Sequence, residues 1–239
     1  MTLTIEPLGH IHSPYQEKFS VPRQANLVTA TSSKLVLCEP FNDLDMLAEI
    51  EQFSHLWLMF AFHQNIAAGW KAKVRPPRLG GNKKVGVLAS RSSFRPNHLG
   101  LSLMELSHVE RDTKSPTLHF RGGDLVNGTP IYDVKPYLPY SDSKPDALAG
   151  YAQQAPSVLL PVSFSPQAKQ QSQTLALSEQ QHLVIEQVLA QDPRPAYKQH
   201  KADDKEYGVA LFDLNIRWKV NINPQGQQYI TVMSVSYAT

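Results

Sequence analysis

From residue 4 to residue 134 the chain alternates short apolar runs with Pro, Gly and Asn punctuation, and this pattern constrains the fold more than any other feature. Runs at residues 4–11, 34–38, 55–62, 84–90, 101–109, 117–120 and 131–134 read as strands, and only residues 42–52 read as helical. Parallel βαβ units need a long amphipathic helix between strands, and none is legible here. A meandering barrel or sandwich is therefore expected.

The character changes after a Ser- and Pro-containing connector at residues 138–156. Residues 158–164 read as a strand. Beyond them Ser178 is a candidate N-cap with Gln181 three positions on, and Leu183, Val184, Val188 and Leu189 form a stripe of helical period that Asp192 and Pro193 end. Residues 214–222 and 229–235 flank the turn Asn223, Pro224, Gln225, Gly226 and read as a hairpin. The expected class is mainly β, an N-terminal β-barrel with a small C-terminal α+β domain, divided into residues 1–145 and 146–239.

A length of 239 residues suits two unequal units, and 41% apolar with 18% charged residues is a globular composition. The longest apolar run, residues 56–62, is too short to cross a membrane, and no leader is legible at the start, so cytoplasmic residence is expected. Cys38 is the single cysteine and reads as a small buried side chain. The net charge of +2 conceals a strong asymmetry. No Asp or Glu lies between Glu51 and Glu105, whereas eight Lys or Arg do, which leaves the rest of the chain at net −6. A positive field so concentrated fits a polyanionic partner.

Four Pro- and Gly-punctuated loops carry the polar groups most suggestive of a ligand site. They are Val21-Pro22-Arg23-Gln24, the segment from Arg75 through Arg78 to Asn82, the run from Arg91 through Arg95-Pro96-Asn97-His98 to Gly100, and residues 124–137 (DLVNGTPIYDVKPY). With Gly9-His10-Ile11-His12-Ser13-Pro14-Tyr15, Phe53-Ser54-His55-Leu56-Trp57 and Asp192-Pro193-Arg194-Pro195-Ala196-Tyr197, they span nearly the whole chain. In this order the chain resembles the bacterial tRNA N6-threonylcarbamoyladenosine N6-methyltransferase family, whose catalytic domain is a TsaA-like β-barrel. Asn127 and His98 depart from the pattern, where the family usually has Asp and often Pro.

The resemblance implies S-adenosylmethionine (S-adenosyl-L-methionine) as cofactor and methylation of N6 of threonylcarbamoyladenosine beside the anticodon of threonine tRNAs. It also implies a homodimer and a C-terminal domain that aids tRNA recognition. Cofactor binding is implied for Pro22, Arg23, Gln24, His63, Gln64, Arg91 and Leu101, and for the loop of Asp124, Leu125, Val126 and Asn127. Asp133, Lys135 and Tyr137 are the candidate catalytic residues, since a urea-like N–H must lose its proton during transfer. Arg75, Arg78, Arg95 and Arg194 are the RNA-binding candidates, because guanidinium groups suit carboxylate and phosphate.

The residues themselves agree on two points. No G-x-G-x-x-G follows a strand, so a Rossmann cofactor site has no foothold, and no GxSxG elbow is present. His10 and His12 share one face of a strand but lack an evident third ligand, so no metal site is expected. Two rival classes fit the same charge pattern: a non-catalytic RNA-binding barrel, and a methyltransferase acting on a small molecule or protein.

Overall fold

The computed structural model describes residues 2–112, 114–154, 159–195, 198–199 and 203–238. Strands β1 (Gly9–His12), β2 (Ser32–Leu37) and β3 (His55–Ala61) are followed by a two-residue ribbon, β4 (Lys73–Val74) and β5 (Val85–Gly86). Strands β6 (Leu99–Glu110), β7 (Thr117–Arg121) and β8 (Pro130–Pro136) complete the first unit. The sheet closes in the order β1-β2-β7-β6-β3-β8, every pairing antiparallel, and β1 meets both β2 and β8.

Period-two alternation decides which face fills the barrel. On β3, Leu56, Leu58 and Phe60 point inward, while His55, Trp57 and Met59 face out. Ile11, Leu35, Met104, Leu118, Phe120 and Ile131 join the inward set in one buried core. Gly100 lies opposite Phe60, and a Cβ there would stand 2.3 Å from the phenyl ring, so only glycine fits this crossing.

After the four-residue helix α1 (Pro139–Asp142) come β9 (Val162–Phe164), helices α2 (Pro166–Thr174) and α3 (Glu179–Ala190), and strands β10 (Asp203–Leu211), β11 (Leu214–Ile222) and β12 (Gln228–Tyr237). They form a sheet of order β10-β11-β12-β9, with β9 parallel to β12. Ser178 and Gln181 make the reciprocal capping box that their spacing predicts, so α3 starts where expected. Its buried stripe of Val184, Ile185, Val188 and Leu189 packs with Ile216, Trp218, Ile230 and Val232.

Local sequence signals fail in several places: the strand expected over residues 4–11 begins only at Gly9, and that expected over 158–164 only at Val162. The helix expected over residues 42–52 is two 3-10 turns, Leu44–Leu47 and Ile50–Gln52, because Glu49 adopts a left-handed conformation (φ 62°) between them. The strand expected over residues 84–90 is only β5, after which Val87 turns inward on a 3-10 turn. Strand β10 carries no legible strand signal because its polar first half lacks alternation; its pairing to β11 supplies the order. The N-terminal end of the predicted strand at residues 158–164, namely Val158, and Ala196 and Tyr197 of the DPRPAY element lie outside the described residues.

Arg194, expected on the RNA surface, is instead 2% exposed. Asp192 ends α3 in a left-handed conformation, and its carboxylate accepts from Arg194 Nε at 2.7 Å and Nη2 at 2.8 Å. A guanidinium so enclosed holds the end of the helix and is withdrawn from any phosphate on the surface. Replacing Arg194 with Ala strands the Asp192 carboxylate in the interior, so stability should fall by about 3–5 kcal/mol, measured by urea unfolding. A loss below about 1 kcal/mol, the surface-pair range, would contradict this account.

Candidate active site

Closure leaves the barrel interior filled with side chains, so the open cavity lies at its rim. A cleft of about 800 Å³ is bounded by the loop after β1, the outer face of β3 and β6, the loop carrying Arg91 and Arg95, and the loop after β7. Its size falls in the range of small-molecule sites. Pro22, Arg23, Gln24, His63, Gln64, Arg91, Leu101, Asp124, Leu125 and Val126 all line it.

Two glycines set the position of the cleft's acid. Gly122 (φ 70°) and Gly123 (φ 127°) lie in backbone regions that side chains disfavour, and they turn the chain sharply out of β7. The turn delivers Asp124 to Ser102, whose Oγ donates to the carboxylate at 2.5 Å. Burial pushes the Asp124 carboxyl up; the Ser102 bond and the nearby Arg91 charge pull the other way without cancelling it. Asp124 is the only acid among the described residues lining the cleft, against Lys18, Arg23, Arg91 and Arg95.

Hydrogen bonds tie the walls together. Arg91 Nη1 donates to Gln24 Oε1 at 2.6 Å, joining two loops 67 residues apart in sequence. Arg95 Nη1 donates to the Ser90 carbonyl at 3.1 Å, and Asn65 Nδ2 to Ser93 Oγ at 2.8 Å. Asn97 and His98 both adopt positive φ (62° and 53°), a costly pair for residues with side chains, and the His98 carbonyl accepts from Phe62 N–H at 2.8 Å. Burial also pushes the His63 imidazole down, with the His10 charge adding to it and a backbone hydrogen bond at Ala61 opposing.

Several sequence candidates stand elsewhere. Asn127 does not line the cleft; its Oδ1 accepts from Ser13 N–H at 3.2 Å and its amide donates to Gln16 at 3.4 Å. That amide bridges two partners, one of them a carbonyl acceptor that a carboxylate could not serve. Asp133 and Lys135 pair with each other at 3.5 Å on β8, in register with Met59 and Trp57. Trp57 and Met59 line the cleft, so these β8 residues lie one strand away from it. Tyr137 packs edge-on against Trp57, with ring centroids 6.1 Å apart. Arg95 lines the cleft, Arg75 is exposed, and Arg78 donates to the Gln154 carbonyl.

Lys18, Asn65 and Ser102 belong to the site and carried no recognisable signal, since each is a common polar residue placed by long-range contacts. Trp70 is 61% exposed where the chain enters the basic ribbon, an indole open to solvent beside Lys71 and Lys73.

The raised Asp124 carboxyl makes folding stability depend on pH. A carboxyl whose folded value exceeds its unfolded one favours folding while protonated, and the advantage is lost as pH rises from the ordinary carboxylate range through the raised value. Across that window Asp124→Asn should gain stability relative to the parent, and above it the difference should stay constant. Paired urea titrations at stepped pH would show it; a parallel pair of curves would refute the assignment.

Family models match both units of the chain: "tRNA-methyltransferase O N-terminal domain" over residues 10–143 and "TrmO C-terminal domain" over residues 157–238. The tRNA (adenine(37)-N6)-methyltransferase of Escherichia coli K12 is 50% identical, covering 90% of this chain and 92% of its own length. The protein of the same name from Homo sapiens is 40% identical over 59% of this chain and 31% of its own length. The crystal structure of TrmO from Pseudomonas aeruginosa superposes with a TM-score of 0.77 at 35% identity, covering 99% of both chains. With both units matched in order and half the residues shared with a relative across nearly its full length, this chain belongs to the tRNA-methyltransferase O family.

Proposed function

We propose that this chain transfers a methyl group from S-adenosylmethionine to N6 of the adenosine at position 37 of tRNA, acting on threonylcarbamoyladenosine in threonine tRNAs in the cytoplasm. The observation that carries this reading is the charge layout of the cleft, one half-buried acid facing four cations. The methionyl part of the cofactor carries an ammonium and a carboxylate beside a sulfonium, and S-adenosylmethionine supplies the electrophilic methyl. Asp124 suits the cationic groups, while Arg23 and Arg91 suit the carboxylate. Phe60, Phe62 and Leu125 give the same cleft an apolar floor that keeps water from the reacting atoms.

Collinear approach of nitrogen, methyl and sulfur makes positioning the main demand on the protein. Asp133, Lys135 and Tyr137 flank the wall formed by Trp57 and Met59, from where they can orient the modified base and receive its departing proton. Residues 1–145 form the catalytic unit in this reading. A homodimer completes the cleft mouth, where Leu101 is 58% exposed beside Met59 on the outer barrel face. The RNA approaches the acid-free segment, where Arg75, Arg78, Lys83 and Lys84 supply cations and Trp70 a stacking surface.

Threonine tRNA carrying threonylcarbamoyladenosine, incubated with the protein and S-adenosylmethionine, should yield the singly methylated nucleoside by mass spectrometry. Methylation of unmodified adenosine would overturn the substrate assignment, and no methylation at all would overturn the activity. Replacing Arg75 and Arg78 with Ala should weaken tRNA binding and flatten the plot of log affinity against log salt by about 0.7 to 0.9 for each phosphate no longer neutralised. An unchanged slope would remove these two residues from the RNA surface.

A further inference from the structure

The connection between β1 and β2 belongs to the barrel by sequence, yet it is built into the C-terminal unit. Tyr15 and Val28, both fully buried, sit in the core of the β9–β12 sheet and α3. Near its start the connection is gripped by the β10–β11 turn. Phe212 N–H donates to the Pro14 carbonyl at 2.7 Å, Tyr15 bridges to Leu211, and Ala210 N–H donates to Glu17 Oε1 at 3.1 Å. Phe212 holds this contact from a left-handed conformation (φ 58°), an unfavourable geometry for a bulky residue.

Helix α3 grips the other end. Gln187 Oε1 accepts from Ala30 N–H at 2.9 Å, Gln191 Nε2 donates to the Leu27 carbonyl at 3.3 Å, and Gln180 Nε2 donates to the Ala30 carbonyl. Between the two grips lie Lys18, Val21, Pro22, Arg23 and Gln24, all of which line the cleft. The wall that Arg91 reaches through Gln24 is thus a short excursion whose ends are fixed by the C-terminal unit.

We propose that the C-terminal unit sets the affinity for S-adenosylmethionine by holding this wall in its binding conformation, with Gln187 and Gln191 as positioning residues. The inference rests on reading the rim cleft as the cofactor site. Its physical basis is preorganisation: a loop pinned at both ends is ordered when the chain folds, so little freedom remains to be given up when the ligand arrives. Without the α3 grip the same residues would have to be ordered by the cofactor itself.

The test is calorimetric titration of S-adenosylmethionine into the full chain carrying Gln187→Ala and Gln191→Ala. Both residues bond to backbone from the helix surface, so the fold should persist, which circular dichroism checks. The dissociation constant is expected to rise roughly fivefold to tenfold, as the removal of two hydrogen bonds would give. KM for tRNA and kcat at saturating cofactor should hold. Gln187→Glu retains the acceptor for Ala30 N–H and should restore most of the affinity that Gln187→Ala forfeits. Asn221→Ala removes the hydrogen bond to Thr231 between β11 and β12, has no bond to the connection, and should leave affinity unchanged.

Unchanged cofactor affinity in the double variant would overturn the proposal, as would a rise in tRNA KM alone. Arg91→Ala separates the two levels. If it weakens cofactor binding while the glutamine pair does not, the brace fails and the cleft stands. If neither weakens binding in a chain that binds the cofactor, the cleft assignment fails and the brace with it.

Discussion

Antiparallel pairing of β1 with both β2 and β8 is the interaction on which the rest depends. It removes the free edges of the first sheet and forces one face of every strand into an apolar interior. An eight- or ten-stranded barrel can hold a ligand inside; a six-stranded one is filled by its own side chains. Ligand chemistry is therefore displaced to the rim, where loops between strands must provide the walls. The connections after β1, β3 and β7 all contribute to that rim.

A site made of loops has an ordering problem that a site on strands does not. Here the solution is distributed. Glycines at 122 and 123 and the left-handed pair Asn97 and His98 fix sharp local turns. Hydrogen bonds from Arg91 to Gln24 and from Asn65 to Ser93 link loops to one another. The C-terminal unit then fixes both ends of the connection between β1 and β2. One half-buried carboxylate amid several cations results, a layout that favours a ligand bearing both signs of charge over a simple anion.

How much of this was legible in the sequence differs sharply between kinds of residue. Residues 56–62 are apolar without a break, so the strand is legible but its faces are not; only the fold puts Leu56, Leu58 and Phe60 inside and Trp57 and Met59 outside. Ser178 and Gln181 announce their helix start by spacing alone. Ten of the residues implied by resemblance meet in the cleft, because rare loop motifs mark where backbone must take special shapes. Arg194 was misplaced for an equally physical reason. A cation after a helix reads the same whether it faces water or a carboxylate, and only its packing against Asp192 decides. Ser102 likewise is one more hydroxyl until the Gly122 and Gly123 turn carries Asp124 to it.

The sequence by itself determined most of the barrel strands, the capped helix, the concentration of positive charge and the family, because each is written in local order and composition. Tertiary structure alone decided that Tyr15 leaves its own unit for the core of the other, that Gln187 and Gln191 hold a loop some 160 residues away, and that Arg194 is interior. Those outcomes depend on which surfaces meet after the sheet has closed. Common polar residues carry no record of their future partners, so contacts of this range are fixed by packing.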